Sequence, residues 1–255
     1  MSLKSLIKFL FLIAIVLGSC FFCNVFFKKF TQKTPVGKRI FAFIGAPGAG
    51  KGTLAGQCVS QLGFKVLSTG DLCRAEIASG SEKGKMIKEY SSKGLIVPDK
   101  VIIEMVQAWL DKQKDNKPII LDGCPRTEKQ ASMLHDVMKN KFPDSRFRVT
   151  FLQVFDEEEV VKRLTSRLVC KNKKCQAVYN TETLAGEKIC KKCGGELIQR
   201  ADDKEDVIRV RLATFKKNNA PIISFYNKTG VIVETFNASN ITPKQMFENF
   251  KKIAA

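Results

Sequence analysis

Predominantly apolar runs recur through the chain at residues 40–44, 119–121 and 149–155, the last broken by Thr150 and Gln153, with a fourth candidate at 231–234. A strand with one face in water alternates polar and apolar positions, whereas a short run without alternation belongs to a strand covered on both faces. The stretches between these runs carry apolar residues at helical spacing. Strand and helix in turn predict an α/β fold, a parallel sheet with helices on both faces, in which ligands gather beyond the carboxyl ends of the strands. Two stretches interrupt the alternation. Residues 68–97 are helix-patterned and end in Gly94-Leu95-Ile96-Val97-Pro98, and residues 169–199 carry four cysteines.

A different pattern opens the chain. Residues 9–27 contain no charge and are nearly all apolar, close to the ~20 residues that span a bilayer as a helix. Residues 1–30 are therefore expected to be a hydrophobic N-terminal segment acting as a membrane anchor, 31–38 a linker, and 39–255 the folded domain. Lys28, Lys29, Lys33, Lys38 and Arg39 follow the run, against Lys4 and Lys8 before it, so the positive-inside rule places the domain on the cytoplasmic face of the inner membrane. Two other readings stay open. Leu17-Gly18-Ser19-Cys20 resembles a lipoprotein cleavage box, and a mistaken upstream start would place initiation at a non-ATG codon, for instance Val36, because Met86 already lies inside the first insertion.

The first buried run closes on Gly45-Ala46-Pro47-Gly48-Ala49-Gly50-Lys51-Gly52-Thr53. Glycines at 45, 48, 50 and 52 leave backbone N–H groups free, and a helix N-terminus follows, which together make a site for nucleotide phosphates. Lys51 is placed to reach the β- and γ-phosphates and Thr53 to sit near Mg²⁺. Gly52 stands between the lysine and the hydroxyl residue, one position off the generic G-x-x-x-x-G-K-[ST]. Gly48, Ala49, Gly50, Lys51, Gly52 and Thr53 are the candidate donor-nucleotide residues.

Four further segments follow in order. They are Leu67-Ser68-Thr69-Gly70-Asp71-Leu72-Cys73-Arg74, then Leu121-Asp122-Gly123-Cys124-Pro125-Arg126-Thr127 with Gln130, then Gln199-Arg200-Ala201-Asp202-Asp203 and Ile208-Arg209-Val210-Arg211-Leu212. With the glycine loop, they resemble the nucleoside monophosphate kinases, and among these the adenylate kinases, from about Arg39 to the C-terminus. The resemblance implies a P-loop kinase core, an AMP-binding insertion at 68–97 and a lid at 169–199. It implies reversible transfer of the γ-phosphoryl group of Mg-ATP to AMP, giving two ADP, with ATP, AMP and ADP as the partners of a monomer. Lys51, Asp122, Arg126, Arg167, Arg200 and Arg211 would carry the transfer, Asp122 orienting Mg²⁺ through its waters. Thr69, Arg74, Val97, Gly123, Arg126, Gln130, Arg200 and Arg211 would hold AMP, Gln130 reading the adenine. Arg163 would stack on the ATP adenine, and Asp202 and Asp203 would make hinge contacts as the lid closes, plain salt bridges being the other reading of these aspartates. The residue types suit that chemistry. The acceptor is already a phosphate anion, so catalysis reduces to alignment and charge neutralisation, and arginine forks grip phosphate oxygens in pairs. Cys124 stands where the family usually has Phe or Tyr.

Cys170-x4-Cys175 and Cys190-x2-Cys193 set four thiols on two knuckles, as a closed structural Zn²⁺ site requires. Zinc-bearing lids occur in bacterial adenylate kinases, usually with a shorter first knuckle; two disulfides are the alternative if the domain is exported. Cys20, Cys23, Cys58, Cys73 and Cys124 show no metal spacing and are expected to pack as small apolar groups.

The net charge of +18 divides into seven basic residues and no acid within residues 1–39, and +11 for the rest. Either a polyanion such as RNA or an anionic membrane surface answers it, or arginines gathered for nucleotide phosphates plus solvated lysines do; the second is expected, and nucleic acid is not expected as a partner. His135 is expected on the surface and Trp109 in the core. The rival functions are a pyrimidine monophosphate kinase, against which Thr69, Gln130 and the long lid speak, a GTP-using AMP kinase, and a tethered zinc-knuckle protein binding nucleic acid. The last leaves Asp71, Arg74, Asp122, Arg126 and Arg211 unexplained.

Overall fold

Residues 39–45 sit at the centre of everything else. This strand, β1 (Arg39–Gly45), is buried at each of its five inner positions, and it pairs in parallel with β3 (Ile119–Asp122) on one side and β4 (Arg146–Gln153) on the other. β2 (Lys65–Ser68) lies outside β3 and β8 (Val233–Asn237) outside β4, so the five strands run in the order β2-β3-β1-β4-β8. The computed structural model describes residues 37–254 apart from 173, 174, 176, 185 and 240, and the unit they belong to begins at Lys38. Among the described residues no helix is long and apolar enough to cross a membrane; residues 9–27, where the anchor is expected, lie outside them.

Side chains of β1 alternate between two apolar layers, as strand geometry demands. Phe41 and Phe43 face α1 (Lys51–Leu62) and α9 (Pro243–Ala254), where Phe250 meets both rings edge-on at 5.2 Å. Ala42 and Ile44 face the other way, onto α5 (Glu128–Lys141) and α8 (Glu205–Lys228), through Ala131, Ile222 and Tyr226. The sheet is thus covered on both sides, which is why its central strands β1 and β3 read as continuous apolar runs.

Two insertions leave this body. The first holds α2 (Thr69–Ser79) and α3 (Glu82–Ser91), and the chain returns through α4 (Asp99–Leu110). The second follows α6 (Glu157–Thr165) and is a small antiparallel sheet of β5 (Arg167–Cys170), β6 (Val178–Asn180) and β7 (Leu197–Ile198), with the turn of helix α7 (Thr181–Leu184).

Three details correct the sequence reading. β4 begins at Arg146 and stops at Gln153, because its neighbours end there, Gly45 opposite Leu152 and Asn237 opposite Gln153. Beyond that point Phe155 is 66 % exposed. β8 begins at Val233, two residues later than its apolar run, and β2 was not expected at all, since only Leu67 of its four residues is buried. Trp109 packs half-buried against the core, as expected. His135, expected on the surface, is half-buried edge-on to Phe225 at 5.9 Å. Cys58, Cys73 and Cys124 are buried among apolar side chains, and burial pushes the thiols of Cys58 and Cys124 up to about 12.

Candidate active site

The loop between β1 and α1 turns twice through the left-handed region, at Gly48 (φ 79°) and Gly50 (φ 87°), which a residue with a Cβ resists. The turn delivers Lys51 to the first residue of α1, with Gly52 and Thr53 exposed on the same first turn and Ala49 buried beneath. The ammonium of Lys51 donates to the carbonyls of Gly45 and Ala46, both at 2.8 Å. Burial brings its pKa down to about 8, although Asp122 opposes the shift; Arg126, Arg211 and Arg167 add to it. Burial likewise raises Asp122 from its ordinary value against the pull of Lys51 and Arg126. Lys51 at the start of α1 and Asp122 at the end of β3 thus act on each other electrostatically, with cationic arginines around them.

The residues expected to hold the acceptor gather at the end of β3. Thr69, buried at the start of α2, donates to the carbonyls of Asp122 (3.2 Å) and Gly123 (3.0 Å). Arg126 donates through Nε to the Gly123 carbonyl at 2.8 Å, and its backbone N–H to Oε1 of Gln130, also at 2.8 Å. That leaves Nε2 of the fully buried Gln130 without a partner, an amide donor that a ligand acceptor would satisfy. Arg74 pairs with Asp71, one turn back on α2. Val97 is buried in the apolar cluster with Leu67, Ile87 and Ile103, so the cleft wall there is formed by Gly94, Leu95 and Ile96 instead.

Three arginines come from the second insertion and the chain that follows it. Arg167 on β5 holds the fully buried Asp203 with both prongs of its fork, Nε to Oδ2 at 2.8 Å and Nη2 to Oδ1. Arg211 on α8 lies 3.1 Å from the Asp202 carboxylate and 3.6 Å from that of Asp203. Arg200 has an unpartnered buried Nε, and burial, with Arg74 and Arg167 close by, lowers its pKa to about 10. Asp202 is held below its ordinary value: burial works to raise it, and Arg211, Arg74 and Arg200 together outweigh burial. Arg163 stands apart, engaged with Glu159 on its own helix and absent from the cleft wall. Phe155, Asn237 and Ser239 meet nearby, the Phe155 N–H donating to Ser239 Oγ at 3.0 Å.

The cleft is open to solvent and is lined by Lys51, Gly123, Arg126 and Arg211. Its apolar wall includes Leu95, Ile96, Pro125 and Phe215, which sequence reasoning did not single out. Phe215 falls one turn beyond Arg211 on α8, a spacing that was there to be used.

In the lid, the Sγ atoms of Cys170, Cys175, Cys190 and Cys193 all lie within 4.8 Å of one another. The nearest pairs, Cys170 with Cys193 and Cys175 with Cys190, are 3.4 and 3.6 Å apart. A disulfide needs about 2.05 Å, while zinc–sulfur bonds of about 2.3 Å give a tetrahedron with edges of about 3.8 Å. The thiol set therefore fits a metal ion. The long first knuckle is absorbed at the root of the β5–β6 hairpin, where Cys170 N–H donates to Ala177 and Cys175 N–H to Asn172, both at 2.9 Å. Gly195 passes so close to the cluster that a Cβ there would lie 3.1 Å from the Cys170 sulfur.

A family model described as adenylate kinase matches residues 43–231. A relative named adenylate kinase from Archaeoglobus fulgidus is 43% identical over 203 residues, covering 78% of this chain and 91% of its own. Relatives of the same name from Thermodesulfovibrio yellowstonii and Methanosarcina barkeri are each 40% identical, over 201 and 213 residues, covering 78% and 82% of this chain and 92% and 95% of theirs.

Proposed function

Because the chain belongs to the adenylate kinase family, we propose that its cleft moves the terminal phosphoryl group of ATP reversibly onto AMP, yielding two ADP, through the residues assembled above. The observation that carries this assignment of roles is that Lys51, Arg126 and Arg211 line one cleft, with Asp122 and Arg167 within electrostatic reach of the lysine. The loop amides and Lys51 hold the donor phosphates, the lysine exchanging its two carbonyl acceptors for phosphate oxygens. Arg74 and Arg126 grip the acceptor phosphate, and Arg167, Arg200 and Arg211 neutralise the transferring group. Magnesium arriving with ATP supplies further charge neutralisation; Asp122 and Thr53, beside the donor phosphates, are the groups suited to hold its water shell. Arg163 and the loop at Asn237 and Ser239 flank the donor base.

Acceptor choice follows from Gln130. With Oε1 taken by the Arg126 N–H, only the Nε2 donor remains for the base. Adenine offers N1 as an acceptor, whereas guanine N1 and uracil N3 carry protons and would leave two donors facing each other. Cytosine offers an acceptor but falls short on a smaller ring. In the lid the four thiols hold zinc as a structural ion. We further propose that the enzyme is a monomer, that 68–97 and 169–199 act as acceptor flap and lid of a domain spanning 39–255, and that residues 1–30 tether it to the cytoplasmic face of the membrane.

A nucleotide panel tests the first reading: purified enzyme with ATP or GTP against AMP, GMP, CMP and UMP is expected to form ADP from ATP and AMP fastest, and faster turnover of CMP or UMP would overturn it. For the tether, the full chain is expected to sediment with membranes, resist carbonate and be released by detergent.

A further inference from the structure

The cleft accounts for little of the chain's positive charge. Lys51, Arg74, Arg126, Arg167, Arg200 and Arg211 face Asp71, Asp122, Asp202 and Asp203, six cations against four anions, while the chain stands at +18. A large part of the excess gathers at the other end of the sheet. Because the five strands run parallel, their starts lie together on the face away from the glycine loop, and the register sets Arg39 beside Arg146. Neighbouring segments are tied in by contacts: Lys38 donates to the Gln113 carbonyl at 2.6 Å, Lys65 meets Asp115 at 2.9 Å, and Arg148 donates to the Ile253 carbonyl at 3.2 Å.

Residues 38–39, 111–118, 139–148 and 248–254, which meet here, contain eleven basic and four acidic residues. Lysines in the last turns of α5 and α9 offset helix dipoles. That explanation does not reach Lys112, Lys114, Lys117 and Arg146, which are exposed, lie outside helices and make no salt bridge among the described residues. Lys38 registers the crowding: its pKa is lowered by burial, and by Lys65 and Lys114 against the pull of Asp115.

We propose that this face, centred on Lys114, Lys117 and Arg146, docks on an anionic phospholipid surface. Connectivity selects a membrane over other polyanions. The chain enters the unit at Lys38, on this face, and only residues 28–37 separate that point from the uncharged run at 9–27. Ten residues reach at most about 35 Å, so a run held in a membrane would keep Lys38 within about that distance of it. Docking this way turns the nucleotide cleft, at the opposite ends of the strands, toward solution. The inference rests on the tether reading, and the test below separates the two.

The unit 38–255 has its own core, and it matches almost the whole length of relatives that contain little else, so it folds as a piece and is the form to test. Co-sedimentation with vesicles of phosphatidylcholine alone and with about one-third phosphatidylserine is expected to show binding only to the second, weakening as salt rises. Each basic residue at such a surface strengthens binding by about fivefold. Replacing Lys112, Lys114, Lys117 and Arg146 with serine should therefore weaken it by about 100-fold or more, with kinase turnover in solution and melting temperature unchanged. Equal partitioning to neutral vesicles, no binding to either, or an unaltered affinity of the variant would overturn the proposal, as would tighter retention on single-stranded RNA than on anionic vesicles. Membrane fractionation of the full chain reports on the tether alone.

Discussion

The glycine loop and the cysteine lid both hold short, irregular backbone in a defined shape, yet by opposite means. Behind the loop stands a two-sided sheet, with Phe41, Phe43, Phe64 and Phe250 interlocked on one face alone. Among its described residues the lid segment gathers a cluster of just Cys170, Leu184, Cys190 and Leu197, with Val169 buried beside it, too little apolar area to order some thirty residues against their conformational entropy. Where the core is large, packing shapes the site and functional residues are free to be energetically awkward. Where it is small, the four thiols and what they bind must replace the core. All four are thus structural in the way that Phe250 is in the body.

The largest effect that tests this contrast is loss of the lid cluster. Structural zinc in small domains contributes about 10 kcal/mol or more, so Cys190→Ser, or a strong chelator, should expose residues 170–195 to rapid proteolysis while the main melting transition of the body moves by only a few degrees. Metal analysis returning no zinc would dissolve the comparison. Next comes the body itself: Phe250→Ala empties the centre of the aromatic cluster, and a loss of about 3–5 kcal/mol in denaturant unfolding is expected, with turnover at low temperature preserved.

Lys51→Met should do the reverse, lowering kcat by about 10²–10³-fold, or about 3–4 kcal/mol of barrier, with the melting temperature not reduced, since the position gives up a buried charge. Smaller again is Asp203→Asn, which replaces a charged partner of Arg167 by a neutral one. A cost of about 2 kcal/mol is expected, and Arg167→Lys should be no milder, because a single ammonium does not reproduce the fork. A cycle of Asp203→Asn with Arg167→Lys showing no coupling would remove the pair from the hinge.

The gentlest test is pH. Lys51, held near 8 by burial, is protonated below that value and loses its charge above it. ATP affinity measured from pH 7.5 to 9.5 should therefore fall as pH rises through about 8, by at most tenfold per unit, and Lys51→Met should flatten the profile.

Much of this enzyme was legible in its residues because the features are local. The buried strands at 40–44 and 119–121, the glycine loop and the cysteine spacing are each written within a dozen positions, where periodicity, left-handed glycines and ligand geometry leave few alternatives. Tertiary structure decided the rest. Nothing near Arg167 announces Asp203, thirty-six residues on, and nothing near Thr69 announces the Gly123 carbonyl, fifty-four residues on. Those pairs exist because β3 lies between β1 and β2 and because the lid folds back on α8. The same holds for the charge: the count was plain from composition, but its division into a nearly balanced cleft and a strongly basic far face appears only once parallel strands put all their starts on one side. Local chemistry is set by neighbours in the chain, whereas charge partners are chosen by which strands become neighbours in space.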